Sequence, residues 1–279
     1  MADVKDFVWE AANGALYACS SVGVGTPVVL LHGFTGSQAN WHESMQALAS
    51  DYHLLAVDLP GHGRTRVRAA PECYDVTRVA HDLNALVNAY FGPALPPHLV
   101  GYSMGGRHAL ACALASPRQY TSLVLESASP GLKSVEERTV RRSNDDALAD
   151  AILRNGLEWF VAYWEKLPLF ASQQRVPPEK RGWLRDQRLA NDLFGLALSL
   201  RGAGTGAQPS FWDDLPALNA LPVMLLTGAE DVKFNAINDE MASLMPHGRR
   251  MIITDAGHAS HFEQPAAYSH ALRSFFETV

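Results

Sequence analysis

A serine set between glycines is the first feature of the sequence that could do chemistry. The segment Gly101-Tyr102-Ser103-Met104-Gly105 follows a short apolar run and precedes residues with helical spacing. Gly-x-Ser-x-Gly between a strand and a helix is typical of a nucleophile elbow, a turn so tight that only small residues fit two positions before and after the serine. The pattern is short enough to arise by chance in an ordinary turn, so a reactive role for Ser103 needs partner residues.

Those partners are a general base and an acid that orients the base. Asp231 comes three residues after Gly228, where an apolar run ends, and His258 follows the last apolar run of the chain. Serine, acid and histidine then occur in the chain order expected for such an elbow. The sequence therefore predicts a catalytic triad of Ser103, Asp231 and His258.

Other side chains compete for these roles. Glu230 is adjacent to Asp231 but is expected to point elsewhere, and Glu126 ends an earlier strand, a position that can also carry the acid. His261 is expected to lie at the surface or against a lid over the site, rather than in the triad. His32 is expected to brace a loop.

Backbone N–H groups near the serine could hold negative charge that develops in the reaction. The segment "LHGFTGS" (31–37) follows the first buried run, and its glycines allow a loop that turns back toward the serine. The N–H groups of Phe34 and Met104 are the expected oxyanion-binding pair.

The elements that position these residues are short strands alternating with helices. Continuous apolar runs suit parallel strands that are covered on both faces, so the pattern predicts an α/β fold with a mostly parallel, doubly wound sheet. Asn13-Gly14 predicts a hairpin at the sheet edge. The runs are 27–34, 52–61, 97–103, 121–128, 221–228 and 249–257.

The strand pattern stops between about 131 and 212. That stretch is rich in Trp, Arg, Leu and Ala, is punctuated by Pro and Gly, and predicts four or five short helices. A helical insertion between two strands would lie over the carboxyl edge of the sheet, where open α/β sheets bind ligands. We expect a core of residues 1–130 and 213–279, with a helical cap of residues 131–212.

Composition limits the partners. The net charge is −6, which disfavours nucleic acid or an anionic membrane as a partner. Three scattered cysteines, with no expected signal peptide or membrane span, favour a cytoplasmic protein, monomeric or a small homo-oligomer. We expect no metal and no cofactor, because the histidines lack ligand spacing and neither a phosphate loop nor a dinucleotide motif occurs.

A wider set of motifs gives a more specific likeness. Between about residues 27 and 265 the sequence resembles the α/β-hydrolase superfamily and, within it, the 2-succinyl-6-hydroxy-2,4-cyclohexadiene-1-carboxylate synthase family. The segments that carry this resemblance are LHGFTGSQANW, DLPGHG, GYSMGGRHAL, ESASPGL, ERTVRRSND, WEKLPLFASQ, GAEDVKF and GHASHFEQP.

The resemblance implies an α/β-hydrolase fold that performs a lyase reaction. The family removes pyruvate from 2-succinyl-5-enolpyruvyl-6-hydroxy-3-cyclohexene-1-carboxylate on the way to menaquinone. The resemblance also implies that Ser103, deprotonated by His258 and Asp231, is a base rather than an acylating nucleophile.

The resemblance also implies several substrate contacts. This substrate carries several carboxylates, and bidentate guanidinium groups offset the cost of burying them. Arg107 lies one helical turn beyond Ser103. The residues that match substrate-binding positions of the family are Arg107, Arg141, Arg188, Tyr102 and Trp164, with Arg138 and Arg142 as alternatives to Arg141.

Two other functions remain open at this point. A serine hydrolase, acting on an ester or a carbon–carbon bond of an acidic substrate, would use the same triad and cap. A binding protein on the same scaffold is a third hypothesis, disfavoured because the whole triad is present.

Overall fold

The computed structural model describes residues 3–279, which form one eight-stranded sheet with helices on both faces. The strand order is β1-β2-β4-β3-β5-β6-β7-β8; the pairs β1–β2 and β2–β4 are antiparallel and all others are parallel. The strands are β1 Lys5–Glu10, β2 Leu16–Val22, β3 Thr26–Leu31, β4 Tyr52–Val57, β5 His98–Tyr102, β6 Ser122–Glu126, β7 Val223–Gly228 and β8 Gly248–Ile253.

Ten α-helices connect and cover these strands. They are α1 His42–Leu48, α2 Val76–Phe91, α3 Met104–Ala115, α4 Val135–Asn155, α5 Leu157–Trp164, α6 Pro178–Leu189, α7 Leu193–Ala203, α8 Val232–Leu244, α9 Ser260–Glu263 and α10 Pro265–Phe276. Short 3-10 segments occupy Gln38–Trp41, Pro71–Tyr74, Pro117–Gln119, Pro168–Arg175 and Trp212–Leu218. None of the helices among residues 3–279 combines the length and the apolar character needed to cross a bilayer.

The predicted α/β class is confirmed, and its physical basis is visible in β3. Val29 and Leu31 face the layer that includes α2 and α3, whereas Val28 and Leu30 face the layer that includes α1 and α10. All four are at most 1% exposed, as a strand covered on both faces requires. Burial of each such side chain contributes roughly 1.5–3 kcal/mol to the free energy of folding.

All the predicted strands except β7 end earlier than the apolar runs that predicted them. The run 52–61 contains β4 only as far as Val57, because Asp58 and the Pro60-Gly61 turn leave the ladder and form a loop at the carboxyl edge. The predicted hairpin is present: β1 and β2 pair antiparallel on either side of Asn13-Gly14.

Helices α4 to α7 lie between β6 and β7 and share a small core of their own. Ile152, Phe160 and Leu196 are fully buried in it. At the base of this helical segment the Phe211 N–H donates to the Pro130 carbonyl at 2.8 Å, and the Trp212 indole N–H donates to the Gly131 carbonyl at 2.9 Å.

The expectation that these helices are all short is wrong for α4, which has 21 residues. Ser134 and Glu137 form a capping box at its start, and Gly156 follows its end. Only Asp145, Ala149 and Ile152 are buried along it, so its apolar pattern is too sparse to reveal its length from the sequence.

Candidate active site

Ser103, His258 and Asp231 meet at the carboxyl edge of the sheet. Ser103 follows β5, Asp231 follows β7 and His258 follows β8. His258 Nε2 lies 3.0 Å from Ser103 Oγ, and His258 Nδ1 lies 2.8 Å from Asp231 Oδ2. A carboxylate only accepts hydrogen bonds, so Nδ1 carries the hydrogen and Nε2 is free to accept the serine proton.

The backbone around Ser103 explains why glycines flank it. Ser103 has φ 51° and ψ −108°, a strained conformation for a residue with a side chain. A Cβ on Gly105 would collide with the carbonyl oxygens of Leu31 and His32, and a Cβ on Gly101 would collide with the Gly105 carbonyl. These close approaches between β3, β5 and α3 raise the serine above the sheet edge.

His32 orients the loop after β3. Its Nε2 accepts a hydrogen bond from the Leu59 N–H at 3.0 Å, so its hydrogen is on Nδ1, which donates to the Gly33 carbonyl at 2.8 Å. Burial lowers the pKa of His32, which keeps the ring neutral. The Gly36 N–H donates to the same carbonyl at 3.0 Å.

The backbone N–H groups of Phe34 and Met104, the expected oxyanion-binding pair, are both held near Ser103 without a helical acceptor. In a trans peptide the C=O and the next N–H point in opposite directions, so fixing the Gly33 carbonyl also fixes the direction of the Phe34 N–H. Met104 is the first residue of α3, so its N–H has no acceptor within the helix. Phe34 and Met104 both line the cavity that contains Ser103.

That cavity has a volume of about 420 Å³ and lies between the sheet edge and helices α4, α5 and α7. Phe34, Trp164, Phe170 and Phe234 give it apolar walls. The Phe234 ring lies 4.7 Å from the His258 ring, centre to centre. Four basic side chains and two acidic ones also line it: Arg107, Lys133, Arg141 and Lys233, with Glu137 and Glu240.

Arg107 is the most constrained of these cations. It is 9% exposed, and its Nη1 donates to the Ala203 carbonyl at 2.6 Å and to Gln208 Oε1 at 2.8 Å. Both acceptors are neutral, and within residues 3–279 no carboxylate lies within 4.0 Å of its guanidinium. Burial, with the charge of Arg141, lowers the pKa of Arg107 to about 10, so it remains a cation at neutral pH.

The other predicted arginines divide between the cavity and its surroundings. Arg141 lines the cavity and pairs with Asp145 at 2.7 Å. Arg138 is not brought to the cavity: its Nη1 donates to the carbonyls of Leu132 and Lys133 at 3.0 Å, and it lines an outer depression with Arg142.

Arg188 lies in a separate position behind the cavity. It is 5% exposed, its Nη1 lies 3.2 Å from Glu165 Oε1, and its guanidinium stacks over Phe170. It lines a chamber of about 30 Å³ whose walls include Phe34, Tyr102 and Phe170, which also line the main cavity.

The two predicted aromatic residues both reach the cavity. Tyr102 lines it, and its ring lies 5.4 Å from the His258 ring. Trp164 packs edge-on against Phe34 at 5.3 Å. Its indole N–H is buried without a hydrogen-bond partner among the residues described.

The expectation for His261 is wrong. It is 4% exposed rather than at the surface, and its Nδ1 lies 3.0 Å from both carboxylate oxygens of Glu126. Glu126 is thereby occupied with His261, whereas Asp231 is bonded to His258. Glu230 points elsewhere as expected, toward Arg175 at 2.6 Å.

Two further cations line the cavity, Lys133 and Lys233; the motifs assigned no role to Lys133, and Lys233 matched the family motif without being assigned to the site. Lys233 is two residues after Asp231, so its place at the same sheet edge could have been inferred from the chain. Lys133 precedes α4, forms an ion pair with Glu240 and lies over the Trp212 ring. No group of His, Cys, Asp and Glu in residues 3–279 is arranged to hold a metal ion.

A sheet of this order, with serine, acid and histidine after β5, β7 and β8, defines an α/β hydrolase. A family model described as "Alpha/beta hydrolase family" matches residues 28–271, and the chain belongs to that family.

Proteins of higher sequence identity show to which family of α/β hydrolases this chain belongs. A Bacillus subtilis protein provisionally named 2-succinyl-6-hydroxy-2,4-cyclohexadiene-1-carboxylate synthase is 42% identical over 96% of this chain and 97% of that protein. The synthase of that name from Klebsiella pneumoniae (strain 342) is 34% identical over 86% of this chain and 89% of its own. The particular family is thus that of these synthases, as the sequence motifs predicted.

Two solved structures have a similar fold, one of them from the same family. The structure of MenH from S. aureus matches with a TM-score of 0.88 and 33% identity, covering 100% of this chain and 99% of that one. A thermophilic esterase from Thermogutta terrifontis, solved with malate bound, matches with a TM-score of 0.84 and 26% identity over 98% of both chains.

Proposed function

We propose that this protein is a lyase that eliminates pyruvate from 2-succinyl-5-enolpyruvyl-6-hydroxy-3-cyclohexene-1-carboxylate. The product is the diene carboxylate for which its relatives are named, an intermediate of menaquinone biosynthesis. The single observation that carries the proposal is Arg107. A buried guanidinium that faces the serine cavity with only neutral acceptors is a site for an anionic substrate.

The first chemical step is removal of a proton from the ring carbon next to the succinyl carbonyl. Ser103 Oγ takes this proton while its own passes to His258 Nε2, 3.0 Å away. Asp231, 2.8 Å from His258 Nδ1, stabilises the imidazolium that forms.

The second step is loss of the side chain. The electron pair left on the ring passes through the existing double bond and expels enolpyruvate, which becomes pyruvate on protonation. The N–H groups of Phe34 and Met104 hold the negative charge that grows on the succinyl carbonyl oxygen.

The carboxylates of the substrate need cations in a cavity whose walls are largely apolar. Arg107 and Arg141 supply two of these cations. Lys133, paired with Glu240 of α8, and Lys233, itself on α8, supply two more. Tyr102 and Trp164 bound the ring, and Arg188 stabilises Phe170 behind it.

The domain organisation and setting belong to the same proposal. Residues 131–212 act as a cap on a core of residues 1–130 and 213–279, and the hydrogen bonds at Pro130 and Gly131 support this division. The partner is a small polycarboxylate rather than nucleic acid or membrane. The enzyme is cytoplasmic, as its unpaired buried Cys19 and Cys112 suggest, and monomeric or a small homo-oligomer.

The test is an assay of pyruvate release from freshly prepared enolpyruvyl substrate. Wild type should release stoichiometric pyruvate, and Ser103→Ala and His258→Ala should each be slower by at least about 10³-fold with unchanged circular dichroism. Normal pyruvate release by either variant would refute the role of the triad.

The same assay separates the lyase from a serine hydrolase. A hydrolase would process esters through an acyl group on Ser103, detectable by intact-protein mass spectrometry, and would release no pyruvate. An acyl-enzyme without pyruvate release would replace the proposed function by hydrolysis.

A further inference from the structure

A second acid–histidine pair lies behind the triad. Glu126 is fully buried, and its carboxylate accepts hydrogen bonds from both the backbone N–H and the Nδ1 of His261, at 3.1 and 3.0 Å. His261 is 135 residues away in sequence and follows His258 by three positions. The mechanism proposed above gives neither residue a chemical step.

Glu126 is also bonded to the nucleophile elbow. Its backbone carbonyl accepts the Ser103 N–H at 2.8 Å. One residue at the end of β6 therefore touches both the strained turn that carries Ser103 and helix α9, which directly follows the loop that carries His258.

The ring of Tyr102 completes the connection. It lies 4.6 Å from the His261 ring and 5.4 Å from the His258 ring, centre to centre, so it packs against both histidines. Trp41 covers His261 on another side at 4.7 Å. The paired side chains are at most 4% exposed, so water cannot easily replace a lost hydrogen bond.

We propose that Glu126 and His261 are positioning residues that clamp the His258 loop to the serine elbow and thereby set the 3.0 Å separation between Ser103 Oγ and His258 Nε2. The kinetic part of this proposal rests on the proposed function, whereas the geometric part does not. A displacement of about 1 Å at a reacting group can cost about 10²-fold in rate, so a clamp of this kind would affect kcat.

The experiment compares Glu126→Ala and His261→Ala with the conservative variants Glu126→Gln and His261→Asn. Glutamine retains an oxygen for the His261 N–H, and the asparagine amide can donate from near the Nδ1 position. Asn84→Ala is the matched control, because Asn84 is a buried residue of α2 that donates to the Cys112 carbonyl, accepts from the Tyr120 hydroxyl and does not line the cavity.

Pyruvate release gives the kinetic result. The alanine variants should lose about 10²-fold in kcat with KM within about twofold of wild type, and the conservative variants should recover at least about tenfold of that loss. Asn84→Ala should keep the wild-type kcat even where its thermal stability falls. A kcat near wild type in a folded alanine variant, or a loss confined to KM, would overturn the proposal.

Crystal structures of the same variants give a result that needs no substrate. The Ser103 Oγ to His258 Nε2 separation should exceed about 3.5 Å in His261→Ala and remain near 3.0 Å in Asn84→Ala. An unchanged separation would refute the clamp whatever the reaction. If wild type released no pyruvate while the separation changed as expected, only the proposed function would fail. Should Glu126→Ala not fold, the other three variants carry the same comparison.

Discussion

At the scale of single residues, Arg107 is the side chain on which the proposed polycarboxylate substrate depends. Folding transfers its guanidinium from water to a cavity wall where the acceptors are neutral. Burial lowers its pKa from its ordinary value to about 10, so its charge opposes folding at every pH below about 10. The cost of burying this charge falls as the pH rises above about 10, because the folded protein then loses the proton before the unfolded chain does. A bound carboxylate offsets the same cost at neutral pH.

Arg107→Ala should therefore impair the acidic substrate selectively. We expect kcat/KM for pyruvate release to fall by about 10²-fold or more, because one member of a buried charge pair is removed. Hydrolysis of a small neutral ester, where wild type shows it, should change less than about threefold. Arg138→Ala is the control, since Arg138 does not line the cavity. Equal losses on both substrates would argue against a carboxylate site.

Ligand binding should also stabilise the folded protein through Arg107. A stable aromatic dicarboxylate analogue of the product, at about 100 times its Kd, contributes about 2.7 kcal/mol and should raise Tm by roughly 5–8 °C in a chain of this size. Thermal denaturation should show this shift for wild type and Arg138→Ala. For Arg107→Gln at the same ligand concentration we expect a much smaller shift, and a full shift there would contradict the assignment.

At the scale of elements, the junction of β3, β5 and α3 holds the serine in place. The junction depends on backbone-to-backbone contact, in which Gly105 lies directly against the carbonyls of Leu31 and His32. No rotamer change can relieve a clash with backbone atoms. The strained φ of 51° at Ser103 is maintained by this packing.

Two glycine-to-alanine substitutions should have opposite effects. Gly105→Ala forces α3 away from β3 and should lower the free energy of unfolding by about 2–4 kcal/mol or prevent folding. Gly182, in α6, has open space where a Cβ would lie, so Gly182→Ala should raise the stability by up to about 1 kcal/mol. Urea denaturation measures both changes. A stable, active Gly105→Ala protein would show that the close approach is dispensable.

At the scale of the whole molecule, the charge of the site differs in sign from the charge of the protein. The chain carries a net charge of −6, whereas the cavity is lined by four basic and two acidic side chains. The cations lie on both sides of it, Arg141 on α4 and Lys233 on α8. The core and the helical segment thus create a local positive field within an acidic protein.

That field should make the reaction sensitive to salt. The value of kcat/KM for the polycarboxylate substrate should fall as ionic strength rises from about 0.01 to 0.5 M, because the Debye length shrinks from about 30 Å to a few ångströms. Exchanging Lys133 and Lys233 for Gln should weaken this dependence. If kcat/KM instead rose with salt, the net negative charge of the molecule would dominate and the local field would be refuted.

The sequence by itself determined the sheet and the identities of Ser103, Asp231 and His258. These features are local: a buried parallel strand is a continuous apolar run, and an elbow is a five-residue pattern. Chain order and the carboxyl ends of parallel strands then bring the three residues to one edge.

Only the tertiary structure decided which cations face the cavity and where His261 lies. Arg138, Arg141 and Arg142 are close in sequence, and the rotation of α4 against its neighbours selects Arg141 for the cavity. His261 is drawn inward by Glu126, a residue 135 positions earlier. Periodicity carries no information about partners so far apart, because burial of a polar side chain depends on the hydrogen-bond partner that packing supplies.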